Sequence, residues 1–251
     1  GTENTSLGYQ SGNRYGTAGS YNVSVGSLAM GTAANSSNSN SYNVAVGYQS
    51  LYVVDGGQTN TALGSQVLGS LTTGDFNAGV GGSALSSVTT GVRNTGVGFL
   101  AGYTTTTGDN NSSLGNFAKA STATASNEVT LGNTSITALR CQVTSITSLS
   151  DSRDKTDIAP LQAGLDFVEH LNPVSFTWNM RDGGKIDIED TGFIAQDLQQ
   201  VQQDTGVNIP GLVYDENPEK LEAAYGKLVP VLVQAIKDLS AKVNELESQI
   251  K

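Results

Sequence analysis

The chain has 251 residues, 37% of them hydrophobic and only 6% aromatic, which is length for one or two domains but few of the large side chains that fill globular cores. Its formal net charge is −10 and is unevenly placed: residues 1–149 hold four basic and five acidic residues, leaving −9 for residues 150–251. Such acidity argues against a nucleic-acid partner and disfavours an anionic membrane surface, since binding to either rests on clustered Lys and Arg.

Cys141 is the only cysteine, so no intrachain disulfide forms. His170 is the only histidine, so no histidine-based triad is available. His170 reads as a solvent-facing helix residue, and neither a cofactor nor a metal site is expected. No apolar run approaches the roughly 18 residues of a membrane span, so membrane insertion is not expected. Gly1 falls inside a repeat, which implies a piece of a longer protein.

From the N-terminus, the pattern Asn-x-x-(Val/Leu)-Gly recurs seven times, beginning at Asn4, Asn22, Asn43, Asn60, Asn77, Asn94 and Asn111, and the last five copies are spaced 17 residues apart. Thr-Thr-Gly punctuates three units, at Thr72, Thr89 and Thr106. A fixed short period marks a solenoid of stacked units. Seventeen residues is too short for a strand-helix unit and helix formers are scarce, so residues 1–132 are expected to form a β-roll or β-solenoid. In that reading Val25, Val46, Leu63, Val80, Val97 and Leu114 point inward from short strands, and the glycine after each turns the corner. The array resembles the head repeats of trimeric autotransporter adhesins and the shaft repeats of phage tail fibres. A thin roll buries little by itself, so packing between copies is expected to stabilise it.

A transition at Asn127 carries one extra residue between Asn and Gly. Beyond it Ile136, Leu139, Val143, Ile146 and Leu149 suggest an extended strand across residues 133–149, because β-branched content outweighs their helical spacing.

Residues 150–251 read as a small α+β domain. Asp157 and Pro160 look like a helix entry, with Leu161, Leu165, Val168 and Leu171 on one face. The alternation from Pro173 to Trp178 reads as a strand, Asp182-Gly183-Gly184 as a turn, and Gly192 onward as a second helical stretch ending near Gly206. From about residue 222 to 251 the pattern is a coiled coil, with Val229, Leu232, Ile236, Leu239, Val243, Leu246 and Ile250 forming a narrow heptad seam. β-Branched residues at a with leucine at d are associated with parallel dimers.

At the seam between array and tail lies Ser150-Asp151-Ser152-Arg153-Asp154-Lys155. A serine hydroxyl needs a base to act as a nucleophile at neutral pH, and a lysine serves once burial disfavours its charged form. Ser150 and Lys155 are the candidate pair. Five residues along a helix rotate the side chain about 140°, and five along a strand reverse the face, so only an irregular turn or a second subunit brings them together. Asp154 beside Lys155 works against a neutral lysine unless it points away. The plainer reading of the hexapeptide is a polar N-cap turn with solvated charges.

From Ser150 onward the chain resembles the intramolecular chaperone, or peptidase S74, domain at the end of phage tail fibres, tailspikes and endosialidases. The matching segments are the hexapeptide, the Leu-x-Pro-Val-x-Phe-x-Trp piece from Leu171, Gly192-Phe193-Ile194-Ala195-Gln196-Asp197, and Tyr225-Gly226-Lys227-Leu228-Val229-Pro230. The resemblance implies a homotrimer whose C-terminal domain templates the folding of the shaft and then cuts itself away. It assigns Ser150 as nucleophile, Lys155 as general base and Ser150/Asp151 as the scissile bond. It also implies a virion tail fibre, made in the host cytoplasm, whose shaft contributes to attachment to a host receptor or glycan. Gln196 and Tyr225 fall in these motifs and are expected to be buried and to order the domain. A bacterial surface adhesin with a coiled-coil stalk is an alternative, disfavoured because no membrane anchor follows Ile250. A glycan-degrading tailspike is another, disfavoured because Asp55, Asp75 and Asp109 are isolated.

Overall fold

The computed structural model describes residues 1–13, 19–31, 40–142 and 146–250. It divides into two compact units, Gly1–Ile136 and Thr137–Lys251.

The first unit is a parallel β-solenoid, as the repeat requires. Eight three-residue strands, β1 (Thr5–Leu7), β2 (Val23–Val25), β3 (Val44–Val46), β4 (Thr61–Leu63), β5 (Ala78–Val80), β6 (Thr95–Val97), β7 (Ser112–Leu114) and β8 (Val129–Leu131), stack in sequence order. Each pairs with the next in the same register, for example Ala78 with Thr95 and Val80 with Val97. The eighth strand corrects the apparent slip at Asn127. Glu128, 17 residues after Asn111, takes the asparagine position: its N–H donates to Asn111 Oδ1 at 3.1 Å, and its carboxylate accepts from Ser121 N and Oγ.

The direction of the motif's apolar residue is the reverse of the sequence expectation. The middle residue of β2 to β7 points inward: Ser24, Ala45, Ala62 and Ser113 are buried. Val46, Leu63, Val80, Val97 and Leu114 are 36–42% exposed, and Val25 is half-buried. The reason is volume. The interior is filled by Leu51, Leu68, Leu71, Leu85, Val54, Val67 and Val88 from the non-strand side of each coil. A Cβ at Gly79 would stand 2.4 Å from Val67 Cγ1, and one at Gly96 2.8 Å from Leu85 Cγ, so only small residues fit the inward strand position. Since strand side chains alternate, the aliphatic neighbour must face out.

The asparagine of the motif, whose role the pattern alone did not reveal, is a buried ladder. Asn77 donates from its backbone N and from Nδ2 to Asn60 Oδ1 at 2.9 and 3.1 Å, and from Nδ2 to Gly91 O at 2.9 Å. The same three bonds recur at Asn60, Asn94 and Asn111. Every amide is satisfied by its neighbours, which is the condition for burying it. The threonine punctuation works likewise, Thr72 N donating to Thr89 O at 2.8 Å and Thr89 N to Thr106 O at 2.9 Å.

Corners are made by residues in the left-handed region. In the coil around β5 these include Phe76, Ser83 and Leu85, whose N–H groups donate to Gln58 O, Ser65 O and Ala101 O at 3.1, 2.9 and 2.8 Å. Left-handed backbone costs about 1–2 kcal/mol per non-glycine residue, offset here by bonds to the coils above and below. Gly81 is different. At φ 116° and with Gly98 O 2.6 Å from an added Cβ, it admits no side chain.

In the second unit the expected strand over 133–149 is not formed by the described residues. Leu139, Ile146 and Leu149 are 69%, 97% and 92% exposed, and Val143 lies outside the described residues. β-Branched propensity makes no strand without an edge to pair with. The helix expected from Asp157 starts later, as α1 (Leu165–Glu169); Asp157 itself has φ 52° and Leu161 is exposed. The α1 N-terminus receives its acceptor from afar, Leu165 N donating to Asp238 Oδ2 at 3.0 Å.

Strand β9 (Val174–Asn179) pairs antiparallel with β10 (Ile186–Gly192), a strand the sequence did not announce. Ile186 and Ile188 alternate with Asp187 and Glu189, but the alternation stops at Asp190-Thr191-Gly192, too short a period-2 signal to mark a strand, and its side chains are exposed almost throughout. Helix α2 (Ala195–Thr205) ends on left-handed Gly206, the short pair β11 (Val213–Tyr214) and β12 (Glu222–Ala223) follows, and α3 (Leu228–Ile250) closes the unit. The core joins Phe167 of α1, Leu198 and Val201 of α2, Ile209 and Leu212, and Leu228 and Val231 of α3. Helix α3 thus has two apolar faces. Leu228, Val231 and Ala235 pack inward, while the heptad seam from Val229 to Ile250 is 44–85% exposed.

Candidate active site

The hexapeptide is both a polar capped turn and a Ser–Lys meeting point. Asp151 is an N-cap with extended backbone, and its Oδ1 accepts from Arg153 N at 2.9 Å, which opens a 3-10 turn over Ser152–Asp154. Asp154 N donates to Asp151 O and Lys155 N to Ser152 O, at 3.2 and 3.3 Å. The Arg153 guanidinium folds back onto the Asp151 carboxylate, Nη2 to Oδ2 at 2.7 Å and Nε to Oδ1 at 3.0 Å. That bidentate bond, with the backbone N–H of Arg153, holds the Asp151 carboxyl below its ordinary value and raises Arg153.

The tight turn shortens the path from Ser150 to Lys155, which is again extended. Lys155 Nζ lies 2.6 Å from Ser150 Oγ and 3.2 Å from Ser150 O, donating to both. Ser150 and Lys155 are therefore brought together within one chain, by the irregular turn rather than by a second subunit. Among the described residues the ion pairs are Arg153–Asp151, Arg181–Glu219 and Lys220–Asp182, so Asp154 forms none with Lys155. Both Ser150 and Lys155 are exposed.

The remaining candidates fall apart from this turn. Gln196 is exposed rather than buried. Tyr225 is 44% exposed but does order the unit: its hydroxyl accepts from Phe193 N at 3.1 Å and donates to Phe193 O at 3.0 Å, and the rings meet edge-on at 5.5 Å. Cys141 is exposed. Asp75 and Asp109 accept backbone N–H bonds from Gln58 and Val92, so their carboxylates link coils. Sequence reasoning missed Asp238, whose carboxyl is held below its ordinary value by the N–H of Leu165 and then by Gln234. The Arg153–Asp151 clamp is also not foreseen, since the N-cap turn reads from the sequence with its charges solvated rather than paired. Among the described residues no helix is long and apolar enough to cross a membrane.

A solenoid shaft, then an α+β unit that opens on a Ser–Lys turn and closes on a long helix with an exposed seam, defines a repeat protein with a C-terminal accessory domain. Residues 150–207 match the family described as chaperone of endosialidase, Peptidase_S74. The chain is also similar to the long tail fiber protein Gp37 of Enterobacteria phage K3, at 34% identity over 105 residues, covering 40% of this chain and 8% of that protein. Its similarity to the same-named protein of Enterobacteria phage T2 is also 34% over 105 residues, covering 40% and 7%. The chain thus spans less than a tenth of the length of either relative. No solved structure matches it.

Proposed function

We propose that the chain is part of a virion tail fibre whose C-terminal unit, residues 150–251, assembles three copies of the shaft and then severs itself at the Ser150/Asp151 bond. The observation that carries this reading is the 2.6 Å approach of Lys155 Nζ to Ser150 Oγ, within the segment that matches the peptidase S74 family. In this mechanism Lys155 takes the Ser150 hydroxyl proton as Oγ attacks and later returns a proton to the departing amine of Asp151. Lysine acts as a base only when its ammonium is desolvated. With both groups exposed in a single copy, neighbouring copies supply the cover, and cutting waits on assembly.

Two surfaces support self-association. One is the heptad seam of α3. The other is the aliphatic row of the solenoid, where Val46, Leu63, Val80, Val97 and Leu114 sit in register at one residue per coil. A nearly uncharged shaft lined on one side by such a row packs well against copies of itself. Similarity to long tail fibre proteins supports a role of the shaft in host attachment. The test is intact-mass measurement of the purified full chain beside Ser150→Ala. The expected result is two fragments meeting at Ser150/Asp151 in the parent and one uncut chain in the variant, and a parent that stays whole or a variant cut like the parent would sink the proposal.

A further inference from the structure

The Ser150 turn holds a geometric constraint that decides which serine attacks which bond. Ser150 is both the nucleophile and the residue whose carbonyl is to be broken. Attack by Oγ on its own carbonyl carbon would close a ring of Oγ, Cβ, Cα and C, with internal angles of about 90° where the unstrained value is about 111°. Such a ring also denies Oγ the approach over the face of the carbonyl that a reactive contact needs. A five-membered ring would be accessible to attack on the preceding carbonyl, that of Leu149. Yet the carbonyl held by Lys155 Nζ, at 3.2 Å, is that of Ser150.

We infer that the reaction runs between copies: Ser150 Oγ of one copy attacks the Ser150 carbonyl of a neighbouring copy. This inference rests on the Ser–Lys cleavage proposed above. It gives a meaning to the double contact of Lys155, which touches Oγ and the carbonyl oxygen of the same residue. In the attacking copy Lys155, once desolvated and neutral, accepts the Oγ proton. In the copy under attack Lys155, as an ammonium, donates to Ser150 O and stabilises the negative charge that develops there.

Collapse of the tetrahedral adduct breaks the C–N bond between Ser150 and Asp151. The Asp151 amine leaves with the proton that the attacking copy's Lys155 had taken. The other product is an ester between the Ser150 carbonyl of one copy and Ser150 Oγ of the other. Water then hydrolyses the ester, leaving a Ser150 carboxylate and restoring the hydroxyl, so the net consumption is one water per bond cut. Exposure of both groups in the single chain is what such an exchange requires, because a nucleophile enclosed in its own copy could not reach another.

The experiment co-expresses the full parent chain with a full Ser150→Ala chain under two different affinity tags and isolates assemblies carrying both. The Ser150→Ala chain keeps a cleavable bond and Lys155 but has no nucleophile. Alone it stays whole. Beside parent copies it is expected to be cut, seen by mass as loss of the intact variant and a new N-terminus at Asp151. A Ser150→Ala chain that stays whole in assemblies where the parent chain is cut would overturn the exchange and leave the Ser–Lys reading standing. A new N-terminus at Ser150 would overturn it in favour of attack on the Leu149 carbonyl. Failure of the two chains to co-purify would overturn it by removing the neighbour. If the parent chain alone stays whole, the proposed cleavage itself fails.

Discussion

The solenoid and the Ser150 turn use the same polar chemistry to opposite ends. In the shaft, side-chain amides are buried and their hydrogen bonds are closed among themselves, as Asn77 bonds Asn60 and Gly91 O, so the ladder is inert and adds only order. At the turn, a lysine and a serine meet at 2.6 Å in the open. Burial with full satisfaction makes polar groups structural; proximity without enclosure leaves them able to react once something covers them.

The largest expected effect tests the open end of that contrast. Lys155→Ala removes the base from Ser150 Oγ and should slow cutting by roughly 10²–10⁴-fold, read by mass over time, with no change in the circular dichroism of the shaft. Next comes the dependence on cover. Charging the α3 seam with Ile236→Glu and Leu239→Glu should abolish association in analytical ultracentrifugation and stop cutting with it; a monomer that cuts at the parent rate would break the link between assembly and chemistry.

The closed end is tested in the shaft. Gly81→Ala places a methyl 2.6 Å from Gly98 O at φ 116° and should cost about 1–3 kcal/mol in denaturant unfolding. Asn77→Ala leaves Asn94 N and Gly91 O without their partner and should cost a similar 1–3 kcal/mol. Neither should change the rate of cutting in chains that still assemble. If either does, the shaft and the turn are coupled more closely than the contrast allows.

The smallest effect concerns Asp238. Its carboxyl is held below the ordinary 3.8 by the Leu165 N–H, so the stability it lends is present above pH 3.8 and fades as pH falls through the lower folded value. Thermal melts of the full chain should show the C-terminal transition dropping below pH 3.8, and Asp238→Asn should flatten that drop.

Much of this was legible in the chain itself. The 17-residue period, the scarcity of helix formers in the array and the heptads of α3 lead directly to the solenoid and the long helix. The motif's aliphatic residue faces out because the competing fillers, Leu51, Leu68 and Leu85, lie outside the Asn-x-x-(Val/Leu)-Gly motif, although they keep the same 17-residue spacing, and they claim the interior first. Strand β10 is hard to read from the chain because its apolar alternation ends after Ile188, and α1 is shorter than its apolar spacing suggests because its N-terminal acceptor comes from Asp238, 73 residues away. At the candidate site, Ser150 and Lys155 were readable as chemistry. Their spacing predicted only that no regular element would join them.

The sequence by itself determined that the coils repeat, which residue types alternate, and where the reactive pair lies, because those depend on local spacing and side-chain chemistry. The tertiary structure decided which way the alternation faces and how close the pair comes. Inward or outward is a question of which residues fill a fixed interior volume, and the Ser150–Lys155 distance depends on a turn set by the Asp151 cap and the Arg153 clamp.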